Sequence, residues 1–200
     1  MKRLAVHISG LVQGVGFRPF IYNSARQKDL TGWVRNNHAG VELEIQGKQA
    51  ALEAFTAELQ TKTPPTAVID KITITEIPVI QETGFTILES ELGRLTGTPL
   101  PDQAICDSCL QEFFDTGNRR YHYPFNSCVI CGPRFTIIKG LPFDRERTAM
   151  NDFILCPYCF QEYLTPGDRR FHAQTIACPN CGPSLWFTTP DGKKLLIEPA

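Results

Sequence analysis

Leu4, Val6 and Ile8 alternate with Ala5, His7 and Ser9, Val41, Leu43 and Ile45 with Glu42, Glu44 and Gln46, and Ile72 and Ile74 with Lys71, Thr73 and Thr75. A period of two sends successive side chains to opposite faces of a pleated strand, so these runs predict half-buried β-strands. Thr31 to Asn36 and Phe85 to Leu88 read as further short strands. Between them the period changes. Phe17, Ile21, Ser24 and Ala25 stand at i, i+4, i+7 and i+8, and Leu52, Phe55 and Leu59 at i, i+3 and i+7, spacings that align one apolar stripe along a helix. The predicted order is strand, helix, strand, strand, helix, strand, with an added edge strand. One sheet with both helices on the same face buries every stripe at once, which is a ferredoxin-like α+β arrangement over residues 1–90.

The periodicity ends there. Residues 91–104 gather Gly, Thr and Pro and are expected to form a linker. Residues 105–200 then repeat themselves: CDSCLQEFFDTGNRRYHYPFNSCVICGP from 106 and CPYCFQEYLTPGDRRFHAQTIACPNCGP from 156 align at a constant offset of 50 residues. The offset pairs Gln111 and Glu112 with Gln161 and Glu162, Arg119 and Arg120 with Arg169 and Arg170, and His122 with His172. Each copy reads C-x2-C-x18-C-x2-C, through Cys106, Cys109, Cys128 and Cys131 and then Cys156, Cys159, Cys178 and Cys181. Two thiolates three residues apart chelate an ion from one tight turn, and two such turns supply the four tetrahedral sulfurs that structural zinc prefers. The expectation is a duplicated four-cysteine zinc-finger region (106–131 and 156–181) with two structural Zn(II). Four thiolates leave no open position, so such sites stabilise rather than catalyse. Disulfides and CxxC redox pairs account less well for four pairs repeating in register, while iron would accept the same ligands. His122 and His172 are expected to be structural or interfacial, and Arg119, Arg120, Arg169 and Arg170 to be solvated surface or domain-docking charge.

Composition narrows the function classes. With 42% apolar and 20% charged residues and a net charge of -1, the 200-residue chain is globular in make-up and no generic polyanion binder. The sheet positions that would stack bases in an RNA-binding ferredoxin-like fold carry His7 and Ser9 instead, so no nucleic-acid partner is expected. The N-terminus MKRLAVHISG lacks an apolar signal core, and the apolar runs are strand-sized. A cytoplasmic protein without a membrane partner is therefore expected, in a compartment that keeps thiols reduced.

The stretch GLVQGVGFRPF, residues 10–20, joins the first strand to the first helix. Pro19 stands where a dinucleotide fingerprint would need its third glycine. Gly14 and Gly16 instead allow consecutive backbone N–H groups to form an anion nest at a helix N-terminus, and Arg18 adds a planar, permanently charged fork suited to phosphate. At the end of the second strand, in GWVRN (32–36), the Asn36 carbonyl can hold a water while its amide contacts an oxyanion.

VQGVGFR (12–18) followed by GWVRN (32–36) resembles the acylphosphatase signature. The resemblance implies that Gln13, Gly14, Val15, Gly16, Phe17 and Arg18 bind phosphate, with Arg18 and Asn36 as the catalytic pair and Asn36 orienting the attacking water. Arg35 is left as surface, and no His, Glu or Cys in these motifs is an obvious base. YPFNSCVICGPRFTI (123–137), LPFDRERTAMNDFILCPYC (141–159) and the doubled cysteine pattern resemble the carbamoyltransferase HypF family of [NiFe]-hydrogenase maturation. That resemblance implies the N-terminal part of such a protein: carbamoyl phosphate is hydrolysed to carbamate and phosphate, and the full-length protein activates the carbamoyl group with ATP and passes it to a cysteine of the partner HypE. The alternative expectation is a zinc-stabilised protein-docking module without catalytic activity of its own.

Overall fold

The computed structural model describes residues 1–91 and 100–195. Strands β1 (Lys2–Leu11), β2 (Thr31–Asn37), β3 (Gly40–Gly47), β4 (Val68–Ile77) and β5 (Phe85–Ile87) form one sheet in the order β4-β1-β3-β2-β5. The four longer strands pair antiparallel, and β5 adds to β2 in parallel, so the sheet is mixed. Helix α1 (Phe17–Gln27) connects β1 to β2, and α2 (Gln49–Thr61) connects β3 to β4. This is the ferredoxin-like α+β arrangement that the alternating periods predict.

One face of the sheet makes the core. Val6, Ile8, Val34, Leu43 and Ile45 are buried against Phe17, Ile21 and Ala25 of α1 and Leu52, Phe55 and Leu59 of α2. Each large aliphatic or aromatic side chain so buried contributes roughly 1.5–3 kcal/mol. The opposite face is polar and paired across strands: the Trp33 ring carries the Arg35 guanidinium at 5.1 Å, and Arg35 is opposite Glu42, with which it forms an ion pair. Ile74 departs from the expected half-burial and is 45% exposed. β4 is the sheet edge, and the helices pack over β2, β3 and β5 instead.

The expected linker, 91–104, falls largely on residues 92–99, outside the described residues. Beyond it, Leu100 is buried in the core of the first half. The two cysteine copies follow the same local plan. Helix α3 (Asp107–Phe114) starts on Cys106 and α4 (Pro157–Leu164) on Cys156. His122 and His172 both take left-handed backbone angles, φ 53° and 56°, and their N–H groups bond the carbonyls of Phe113 and Tyr163 at 2.9 Å. After the second copy comes a small hairpin of β6 (Phe187–Thr188) and β7 (Lys194–Leu195).

The copies brace each other reciprocally. Arg119 and Arg120 reach Glu162 and the Cys159 sulfur of the second copy, and Arg120 Nε donates to the Ala177 carbonyl at 2.8 Å. Arg169 and Arg170 reach Glu112 and, through Arg169, the Cys109 sulfur of the first copy, while Arg170 Nε donates to the Ser127 carbonyl at 3.1 Å. Ser127 and Ala177 are equivalent positions under the 50-residue offset, so the exchange is two-fold in character. Of the two expectations, solvated surface or docking charge, the structure bears out docking: Arg120 and Arg170 are only 2% and 3% exposed and dock one copy on the other. Burial opposes ionisation of Glu162, but hydrogen bonds from Arg120 and Arg119 overcome it and hold the carboxyl down at about 2.

Removing that carboxylate leaves Arg120 buried without its counter-charge. Glu162→Ala is expected to destabilise the protein by about 2–3 kcal/mol, the worth of lost bonds to a charged group. Urea unfolding checks it; a midpoint unchanged from wild type would contradict the brace.

Candidate functional site

Residues 12–16 carry the chain from β1 into α1 along a path that two buried side chains and two glycines define. Val12 and Val15 are 1% and 0% exposed and pin the loop to the core. Gly14 and Gly16, at φ 74° and 78°, turn it through the left-handed region that side chains resist. Gly16 is the cap residue of α1, no side chain caps the helix, and the first turn holds no acidic residue. It holds Arg18 instead, a cation at the end of a helix where the dipole disfavours one, so Arg18 is not there for helix stability. Among the described residues, no protein acceptor takes a bond from the backbone N–H groups of Gly14 to Arg18. Such orphan donors are what a small anion takes up at a helix N-terminus.

Asn36 lies two residues beyond Val34 on β2, so it shares the buried face of the sheet and is 2% exposed. With its amide oxygen turned to the guanidinium, it accepts from Arg18 Nε and Nη2 at 3.2 and 3.3 Å. That leaves the amide nitrogen free to donate elsewhere. Arg18 also donates to Ser90 Oγ at 3.3 Å and the Phe143 carbonyl at 3.4 Å, and it is ion-paired with Asp144 at 2.7 Å.

Gly14, Gly16, Phe17, Arg18 and Asn36 line one pocket. Gln13 and Val15 stand apart from it. The Gln13 amide donates to the Asn37 and Gly40 carbonyls at 2.7 and 2.9 Å, and its oxygen accepts from the Phe143 N–H at 3.1 Å, while Val15 belongs to the core. Those two residues can offer a ligand only their backbone.

The second half closes the pocket, which the sequence reading did not foresee. Val129, Arg134, Phe143 and His172 line it. A Cβ on Gly14 would meet Phe143 at 3.2 Å and Arg134 at 3.3 Å, and one on Gly16 would meet Val129 at 3.1 Å. Burial, aided by the charge of Arg18, brings the His172 imidazole down to about 4, so it is neutral at pH 7. The pocket thus has a titratable group, although the loop motifs contain none. The duplication was the available signal, because His122, the counterpart of His172, is exposed and stacked on Tyr121 at 3.8 Å.

All eight cysteines are free thiols, gathered as Cys106, Cys109, Cys128 and Cys131, and as Cys156, Cys159, Cys178 and Cys181, with the sulfurs of each group within 4.8 Å of one another. Sulfur pairs at 3.5–3.7 Å lie far beyond a disulfide bond, which is about 2.05 Å long. Hydrogen bonds to Cys128 and Cys131 push the Cys109 thiol far above its ordinary range, whereas bonds with Cys109 and Cys128 bring Cys131 down to about 3. Four sulfurs this close ionise together only around a cation, so each group fits one metal ion. Neither histidine of the repeat belongs to a group.

The acylphosphatase family model matches residues 4–87, and the HypF finger model matches residues 105–138 and 155–188. The carbamoyltransferase HypF of Synechocystis sp. is 46% identical over 150 residues, which are 75% of this chain and 20% of that protein. A solved full-length HypF in a phosphate- and nucleotide-bound form superposes with a TM-score of 0.90 at 42% identity, covering 95% of this chain and 26% of that one. The chain belongs to the HypF family. Within it, residues 4–87 are an acylphosphatase domain: the acylphosphatase of Geobacillus kaustophilus is 48% identical over 64 residues, covering 32% of this chain and 68% of that protein. The chain spans about a fifth of the length of the curated HypF relatives it matches. Among the described residues, no helix is long and apolar enough to cross a membrane.

Metal analysis of the purified protein should find two equivalents per chain, one for each cysteine group. A thiol reagent should titrate the eight cysteines only after chelation, and immediate reaction of all of them in the untreated protein would contradict the reading.

Proposed function

We propose that residues 1–90 hydrolyse carbamoyl phosphate to carbamate and phosphate, as one part of a cytoplasmic HypF-type carbamoyltransferase. The carrying observation is the meeting of Arg18 and Asn36 beside a glycine loop whose N–H groups have no protein acceptor among the described residues. The phosphoryl oxygens bind the backbone N–H groups of residues 13–18 and the Arg18 fork. Asn36 orients a water whose oxygen attacks phosphorus. The bond from phosphorus to the acyl oxygen breaks, carbamate leaves with that electron pair, and the water proton passes to a phosphoryl oxygen. Positioning and charge stabilisation do the work, as phosphoryl transfer allows.

The metal groups are two structural Zn(II) sites. Four sulfur ligands fill a tetrahedral shell, so zinc there holds the finger region together and takes no part in the hydrolysis. In a full-length HypF-type protein, carbamate is activated with ATP and passed to a cysteine of HypE. The Arg18–Asp144 ion pair favours a second reading, in which the acylphosphatase domain is an inert partner of a zinc-stabilised docking module, because a carboxylate already engages the phosphate-binding fork.

Phosphate release from carbamoyl phosphate and from acetyl phosphate separates the two. The enzymatic reading expects turnover that Arg18→Ala lowers by about 10²-fold or more. Asn36→Ala should lower kcat with little change in phosphate affinity. Absence of turnover in the wild type supports the docking module, whereas wild-type rates in Arg18→Ala refute the assignment of the site to Arg18.

A further inference from the structure

We propose that Arg134 is a positioning residue for the phosphate site, tying the glycine loop to the second cysteine pair of the first metal group. The inference rests on the reading of the loop as a phosphate site. Arg134 is 3% exposed and lies 120 residues along the chain from the loop, yet its Nε donates to the Gly14 carbonyl. Its other nitrogens donate to the carbonyls of Val129, Cys131 and Pro133, each at 2.9 Å. Two of those carbonyls belong to the turn from Cys128 to Cys131, so one rigid guanidinium spans the metal-site turn and the loop. A bond to the Gly14 carbonyl commits that oxygen to Arg134, and the planarity of the peptide then fixes the direction of the next N–H, on Val15. Val129, from the same turn, packs where a Cβ on Gly16 would stand. The turn therefore grips the loop at both of its glycines.

The charge is also informative. Among the described residues, no carboxylate forms an ion pair with the buried Arg134 guanidinium, whose nitrogens are met by backbone carbonyls. A buried cation held by carbonyls thus lines the pocket that Arg18 and Asn36 also line, and adds a second positive charge to its wall.

The test measures the affinity of the full chain for inorganic phosphate by calorimetry, together with kcat and KM for acetyl phosphate. It compares wild type, Arg134→Gln and Arg134→Lys, with metal content and thermal unfolding followed in each. Both variants are expected to bind phosphate about 10-fold or more weakly and to raise KM more than they lower kcat, because lysine keeps the charge but not the fork. Chelating the metal from wild type should weaken phosphate binding comparably, while chelation of Arg134→Gln should weaken it little further. Rescue by Arg134→Lys, unchanged phosphate affinity in folded, metal-loaded Arg134→Gln, or unchanged affinity of chelated wild type would overturn the inference. The wild-type control separates the two levels: if it neither binds phosphate nor turns over, the phosphate-site reading itself fails, and the inference with it. Should Arg134→Gln fail to fold, the chelated wild type and Arg134→Lys still decide.

Discussion

Between Val12 and Phe17 the backbone passes twice through the left-handed region while the side chains of Val12 and Val15 stay sunk in the core. That path is available only to glycine at positions 14 and 16, and it is enclosed on its outer side by Phe143, Arg134 and Val129, which come within contact distance of where side chains would grow. The loop is thus shaped from below by the ferredoxin-like core and from above by the cysteine-rich half. The ordering of Arg18 and Asn36, the unsatisfied amides and the closed pocket all follow from this double constraint.

The rigidity of the upper side comes from the duplication. Each copy's arginine pair reaches across to a glutamate and a cysteine sulfur of the other, so neither four-cysteine group is an independent unit. A metal bound by four thiolates carries excess negative charge, and the opposing arginines neutralise part of it where water is largely excluded. The same surface then supplies the pocket wall. The copies have diverged in what they present: His172 faces the pocket, whereas His122 is exposed.

Much of this was legible in the residues. The alternations in β1 and β3 and the helical stripes of α1 and α2 report burial through local periods, and the core contains the side chains they nominate. The cysteine spacing needed only a count, and the sulfurs gather in the two predicted groups. Arg18 and Asn36 were nominated by the glycine-rich loop and by the resemblance to the acylphosphatase signature, and the fold brings the two side chains together. What stayed hidden depends on contacts across more than a hundred residues. Arg134 on Gly14, Asp144 on Arg18 and His172 in the pocket have no periodic signature, because nothing in a local pattern records which surface folds onto which. For the four arginines of the repeat the sequence left solvated surface and docking charge both open, because the burial of Arg120 and Arg170 arises only when the copies dock.

The claim beneath all of this is that free backbone amides at the entrance of α1, together with Arg18, form an anion site. Titrating inorganic phosphate into the isotopically labelled, metal-loaded chain and following its backbone amide resonances tests it directly. Saturable shifts concentrated on Gly14 to Arg18, with the Asn36 side-chain amide moving alongside, are the predicted result. Shifts absent from that loop at millimolar phosphate, or confined to distant surface residues, would contradict it.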